Sequence, residues 1–263
     1  MDNARFVQTK RGPFYSNPRH RPTLMRAHKL IGFDSTDREM HALIVLTSHD
    51  RLGASGRKTG VCLESFAHGY YACLDAGFEV TICSPLGGQA PIDTLCNCRN
   101  AESEILKRYQ ADRNAREEFT DALALSQVCA ADFTAVYFAE GCGALWDLAN
   151  DPASQRLIRR LHELRCPCAF VGHSAAALLQ VRGPDCVPLV KGRGITAPNQ
   201  KEDEAYGLPI DAPSLERELG ALGASYIDGP DGMPHVVQDG RWITGQNAAS
   251  SAIVARALVL AAT

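Results

Sequence analysis

The sequence predicts an α/β protein built on an open, mostly parallel sheet with helices on both faces, a three-layer sandwich. Three observations lead there. Short apolar runs such as "HALIVLTS" from His41 have strand length and end in polar turn residues, as strands buried on both faces do. Helix-favouring segments alternate with these runs, the pattern of a sheet covered by helices. The order strand, helix, strand also calls for a right-handed crossover and a parallel pair.

In chain order, "GVCLESFAHGYYACLDAG" carries apolar residues near helical spacing with Gly77 as a stop signal, and "FEVTICSP" is a second strand. Residues 99–128 are charged and helix-favouring, with Leu106, Tyr109, Phe119, Leu123 and Leu125 available for an inward face, so one or two helices are expected at the sheet edge. "FTAVYFAE" is the third strand and "GCGALWDL" turns out of it. Asp151 and Pro152 start the next helix, because Asp accepts free backbone amides and Pro in the first turn loses no needed donor. "PCAFVG" is the fourth strand, followed by an alanine-rich helix from Ser174. "LVKGRGITAP" and "HVVQDGRWITGQ" read as later strands, the second as a hairpin across Asp239-Gly240. "APSLERELGALGA" is a helix ending near Gly223, and "AASSAIVARALVLAA" closes the chain as a mainly buried helix.

The 263 residues suit one large domain, 39–263, behind an irregular N-terminal extension, 1–38. A formal net charge of −3 gives no electrostatic case for nucleic acid, which demands a clustered cationic face. Only the extension departs from this balance: between Arg5 and Lys29 it carries Arg5, Lys10, Arg11, Arg19, Arg21, Arg26 and Lys29 against no acid, interrupted by Pro13, Pro18 and Pro22. Either a contact arm or an irregular strap fits that composition. No run approaches the roughly 20 apolar residues that span a bilayer, and the N-terminus lacks the apolar core of a secretory signal. The ten cysteines are scattered, unlike a small secreted disulfide scaffold, so a reducing, cytoplasmic setting is expected. Cys96-Asn97-Cys98 and Cys166-Pro167-Cys168 are one residue short of a C-x-x-C spacing and are read as structural thiols.

Several stretches carry a family resemblance: "KTG" at 58–60, "AGFEVTICSPLGGQAPID" at 76–93, "GCGALWDL" at 141–148, "GHSAAALL" at 172–179 and "HVVQDGRWITGQNAASS" at 235–251. Together they resemble the ThiJ/PfpI superfamily of the class I glutamine amidotransferase-like, flavodoxin-like fold, in the branch of heat-shock chaperones and glutathione-independent glyoxalases. The resemblance implies glyoxalase III or deglycase activity and a homodimer. It also implies a Cys-His pair at the corner after the fourth strand, where this chain reads Gly172-His173. A glutamate is implied on the helix after the first strand, where Ser65 stands and Glu64 lies one place early. That one-residue step turns a helical side chain by about 100°. Relatives often read Gly-Gly-His-Gly where this chain reads Gly141-Cys142-Gly143. A thiol is thus missing at Gly172 and gained at Cys142.

From these positions Cys142 and His173 are the candidate working pair, with Glu64 as a candidate general acid/base. Ser65, Gly141, Gly143, Gly172 and Ser174 are candidate substrate-binding positions. The flanking glycines are expected to permit a tight turn and leave amides for a developing oxyanion. The competing reading makes Cys142 a small buried residue and His173 a satisfied structural imidazole. Of Glu202, Asp203 and Glu204, an acid either orients His173 or belongs to a solvated run. His235 is read as structural, and Trp146 and Asp147 as fixing their loop. The expected function is a small-molecule enzyme attacking an electrophilic carbon (carbonyl, imine or thioester) by lyase, hydratase or hydrolase chemistry, without cofactor or metal. The alternative is a non-catalytic chaperone-like or binding member; loss of the usual Cys and Glu weighs against the default glyoxalase reaction.

Overall fold

The structure is a computed structural model that describes residues 40–98, 103–210 and 212–263; the predicted extension, 1–38, lies outside the described residues. The elements are β1 (His41–Val45), α1 (Leu63–Asp75), β2 (Glu79–Ser84), α2 (Thr94–Cys98), α3 (Glu104–Ala111), α4 (Arg113–Thr120), β3 (Leu123–Ala124), β4 (Ala135–Phe138), α5 (Pro152–Glu163), β5 (Cys168–Val171), β6 (Gly194–Ile195), α6 (Gln200–Tyr206), α7 (Leu215–Ala221), β7 (Ser225–Tyr226), β8 (Val236–Asp239), β9 (Trp242–Gly245) and α8 (Ser251–Ala262). A seven-stranded sheet runs β3-β2-β1-β4-β5-β9-β8, with every pairing parallel except the β8–β9 hairpin.

The strands are buried on both faces, as their unbroken apolar runs require. In β1, Leu43 and Val45 join one core, while Ala42 and Ile44 join the core on the opposite face, the period-two alternation of a strand. The first core holds Phe138 stacked on Phe170 and Trp242 edge-on to it. The second holds Phe66 against Tyr109 and Phe119. Each such ring contributes roughly 1.5–3 kcal/mol by leaving water. Asp151 caps α5 as its position predicts, accepting from the Ser154 amide at 2.6 Å, with Pro152 in the first turn. α1 ends where Gly77 adopts a left-handed φ of 85°.

Three expectations need correction. The helical reading of 99–128 runs too far: Leu123 belongs to β3 and pairs with Cys83, after α4 has ended at Thr120. "LVKGRGITAP" yields only the two residues of β6, which pair with β7 in a separate small sheet. The segment after β5 is a tight 3-10 helix over Gly172–Leu178, not an α-helix from Ser174. There Ser174 Oγ donates within the corner, to Val171 or Phe138, and accepts the Val171 amide at 2.9 Å, replacing backbone partners.

The strand order reverses between β1 and β4, and the loops leaving the carboxyl ends of β1, β4 and β5 meet there. A parallel sheet opens its ligand crevice at such a switch point.

Candidate functional site

Just beyond the last residue of β4, Glu140 is fixed by its backbone. Its amide donates to Ser65 Oγ at 3.0 Å and its carbonyl accepts from the Cys62 amide at 2.8 Å, so both ends are clamped to the start of α1. Its carboxylate reaches across to the β5 corner. Oε2 accepts from the His173 amide at 2.7 Å, and Oε1 lies 2.7 Å from His173 Nδ1. This is possible because Gly172 is bare: a Cβ there would fall 1.4 Å from Glu140 Oε2. Gly172 also holds a φ of 53°, the left-handed region that glycine tolerates best.

On its other side, His173 Nε2 lies 2.9 Å from Oδ1 of Asp203 in α6. Asp203 is therefore the acid of its run that orients the imidazole, while Glu204 is exposed. Burial works against a charge on His173, but Cys142, Glu140 and Asp203 outweigh it, and its pKa rises well above the ordinary histidine value. Two carboxylates thus hold a buried imidazolium.

Cys142 opens the 3-10 turn after β4, and its Sγ lies 3.4 Å from His173 Nδ1. Burial pushes the thiol pKa up; His173 pulls it down, and Glu140 and Asp93 add to the rise. The net shift is upward, whereas the sequence reading expected a partner imidazole to promote ionisation.

A cavity of about 600 Å³ opens over these groups. Cys142, His173, Glu64 and Gly141 all line it, and so do Glu140, Tyr206 and Asp93. Glu64 does face the cavity even though it is displaced by one helical position. Ser65, Gly143, Gly172 and Ser174 do not line it, which corrects their expected place against substrate. Ser65 and Ser174 are fully buried and secure backbone behind the site. Gly172 lies under the Glu140 carboxylate. Gly141 and Gly143 are small for packing reasons: a Cβ would come within 2.5 Å of Gly60 O at the first and of Thr47 Oγ1 at the second. Trp146 stacks on His49, and Asp147 accepts from Thr47 Oγ1 and the Ser48 amide, so both fix the loop as read. His235 lies outside the cavity, its amide and carbonyl both paired with Ser250 Oγ.

Sequence reasoning missed Glu140, Tyr206 and a disulfide. Tyr206 donates to Asp93 Oδ2, and its phenol is held in the protonated form by burial and by the neighbouring Cys142 and Asp93. Cys96, read as a structural thiol, is instead joined to Cys62, and both line the cavity wall. Topology brings the residue before α1 against α2 across 34 positions, a proximity no local spacing reports.

No protein-family model matches the chain. In sequence it is similar to glutamine amidotransferase-like class 1 domain-containing protein 1 of Homo sapiens, 30% identical over 207 residues, 76% of this chain and 87% of that protein. In structure it is similar to the Francisella tularensis Rapid Encystment Protein 24 kDa, with a TM-score of 0.81 and 28% identity over 85% of this chain and 99% of that one. It also shares the fold of Candida albicans glyoxalase III, with a TM-score of 0.77 at 22% identity over 85% and 97% of the two chains. The chain belongs to the glutamine amidotransferase-like class 1 domain-containing proteins.

Proposed function

We propose that this protein is a small-molecule enzyme acting on an electrophilic carbon of the carbonyl, imine or thioester type, through lyase, hydratase or hydrolase chemistry. The observation that carries the reading is the contact of Cys142 Sγ with His173 Nδ1 at 3.4 Å on the wall of a 600 Å³ cavity. Cys142 Sγ lies 3.4 Å from His173 Nδ1, which lies 2.7 Å from Glu140 Oε1, so His173 links the thiol to the carboxylate in one path for proton transfer. In the proposed step Cys142 Sγ bonds to the carbon, and the thiol proton passes to Glu140. The C=O π bond opens onto oxygen, which takes a proton from His173. Asp203 keeps the imidazole oriented, and Glu64, which lines the same cavity, is a second acid/base for the departing group. The carboxylates stand in for the absent corner thiol, so a route distinct from the glyoxalase reaction of relatives fits best. The reading places the chemistry in a 39–263 domain, with 1–38 as an extension, in a cytoplasmic homodimer. No membrane or nucleic-acid partner enters it, and among the described residues no helix is long and apolar enough to cross a membrane.

A second reading, a catalytically silent binding or chaperone-like member, is favoured by one observation: the Cys142 thiol is pushed up by burial and so resists ionisation. Intact-mass analysis and peptide mapping after exposure to small aldehydes, imines and thioesters separate the two. An adduct at Cys142, or turnover lost in C142A and slowed in H173Q, supports the enzyme. Turnover unchanged in C142A, or neither adduct nor turnover across the panel, sinks it in favour of the silent member.

A further inference from the structure

We propose that Glu140, Cys142 and His173 form a three-ligand site for a divalent transition-metal ion of zinc type, with its open coordination position facing the cavity. This goes beyond the catalytic reading and does not depend on it. The donor set is mixed: a carboxylate oxygen, a thiol sulfur and an imidazole nitrogen, all three residues buried and all three lining the cavity. Soft sulfur with imidazole selects zinc-like ions over magnesium or calcium, which take oxygen ligands. Three protein ligands plus one open position is the pattern of catalytic rather than structural zinc.

The distances fit. Zinc bonds of about 2.3 Å to sulfur and about 2.0–2.1 Å to nitrogen, at tetrahedral angles, put the two donors about 3.5 Å apart. Cys142 Sγ and His173 Nδ1 stand 3.4 Å apart. Nδ1 and Glu140 Oε1 are in hydrogen-bond contact at 2.7 Å. An ion between them requires these atoms to separate by about 0.6 Å to the corresponding tetrahedral edge. Glu140 Oε2 keeps the His173 amide as its partner during that movement. Entry of the ion releases the Cys142 thiol proton and the Nδ1 proton to solvent.

The support around the site is what metal-bound histidine requires. A ligating imidazole almost always donates its other N–H to a carboxylate, which fixes the tautomer and ring orientation. Asp203 Oδ1, 2.9 Å from Nε2, is in that place and leaves Nδ1 to face Glu140 and Cys142. Ser65 and the Cys62 amide clamp the Glu140 backbone, so the carboxylate is held before any ion arrives.

The test uses the full chain, stripped with a chelator and titrated with cobalt(II), then with zinc(II) in competition; turnover is not read. One equivalent of cobalt should bind with a near-ultraviolet thiolate-to-cobalt absorption band, displaced by zinc. C142A should abolish the band, E140Q should weaken binding at least tenfold, and D203N should weaken it about 10–100-fold. Exposed Cys129 and Cys186 are the obvious alternative thiols. A band that persists in C142A assigns the metal to them and overturns the proposal, as does the absence of stoichiometric binding. E140Q is nearly isosteric: if C142A does not fold, unchanged affinity in a folded E140Q protein overturns the proposal and weakened affinity sustains it. A metal-free result leaves the thiol chemistry standing, and inactivity toward electrophiles leaves the metal site standing.

Discussion

The carboxylate of Glu140 occupies the space that a side chain at position 172 would fill, with a Cβ on Gly172 falling 1.4 Å from Glu140 Oε2. The two residues are sterically exclusive: either position 172 carries a side chain, or Glu140 reaches the His173 amide and ring.

The exclusion is measurable. Gly172→Ala must displace the carboxylate and also hold a left-handed φ, and is expected to lower stability by roughly 2–4 kcal/mol. In a Glu140→Ala background the displacement is relieved and the strain alone remains, so the two changes should couple by about 1–3 kcal/mol. Urea unfolding of both single variants and the double variant gives the cycle. Additive effects would remove the exclusion from the account.

Thiol reactivity should follow exposure. Among the described cysteines, Cys129 and Cys186 are exposed, while Cys142, Cys73 and Cys83 are buried. Burial pushes the Cys73 thiol up to about 12. A bulky maleimide at neutral pH should label Cys129 and Cys186 first, with the buried thiols reacting only after denaturation. Peptide mapping over time reports the order, and rapid maleimide labelling of Cys142 in the folded protein would contradict its burial.

The Cys62–Cys96 bond closes a loop across 34 positions. By chain entropy, a loop of that size stabilises the fold by roughly 3–4 kcal/mol. Denaturation with and without reductant should differ by that order, and C62S should match the reduced wild type. Equal midpoints, with the bond verified by mass, would show that it constrains little of the unfolded chain.

Asp147 offers a pH test away from the cavity. Burial raises its pKa, partly offset by donors from Ser48, Thr47 and Leu148. The folded state therefore binds this proton more tightly than the unfolded chain, where an aspartate titrates near about 4. Its stabilising influence is fullest below that value and is lost as pH rises through the folded pKa. The stability of the wild type minus that of Asp147→Asn should thus fall as pH rises over this window. A difference that is flat or rising would refute the assignment.

Much of the fold was legible because its signals are local. Strand-length apolar runs, Gly77, the Asp151-Pro152 start and the Asp239-Gly240 turn each act within a few residues, and each reappears in place. The site was legible only in part. Cys142 and His173 stood out as departures from the resemblance, but Glu140 looked like the polar end of a strand. The available signal was the bare corner: a glycine where relatives carry a side chain leaves volume that a neighbouring strand end can fill. Asp203 could not be separated from Glu202 and Glu204 by spacing, since the start of α6 decides which acid turns inward. Ser65 and Ser174 were placed against substrate because their positions matched the motif, whereas their hydroxyls are consumed by nearby backbone.

The sheet also constrains how copies of this chain can associate. One edge, β3, is two residues long. At the other edge, β8 lies beside the small β6–β7 sheet, where Asp239 Oδ2 accepts the Gly194 amide at 2.8 Å. Neither border offers a long free ladder for another strand to extend. Assembly by continuing the sheet from one protomer to the next is therefore disfavoured at both ends, which leaves helices and loops as the surfaces on which a second copy would be accommodated, and makes edge-to-edge polymerisation an unfavourable route for this fold.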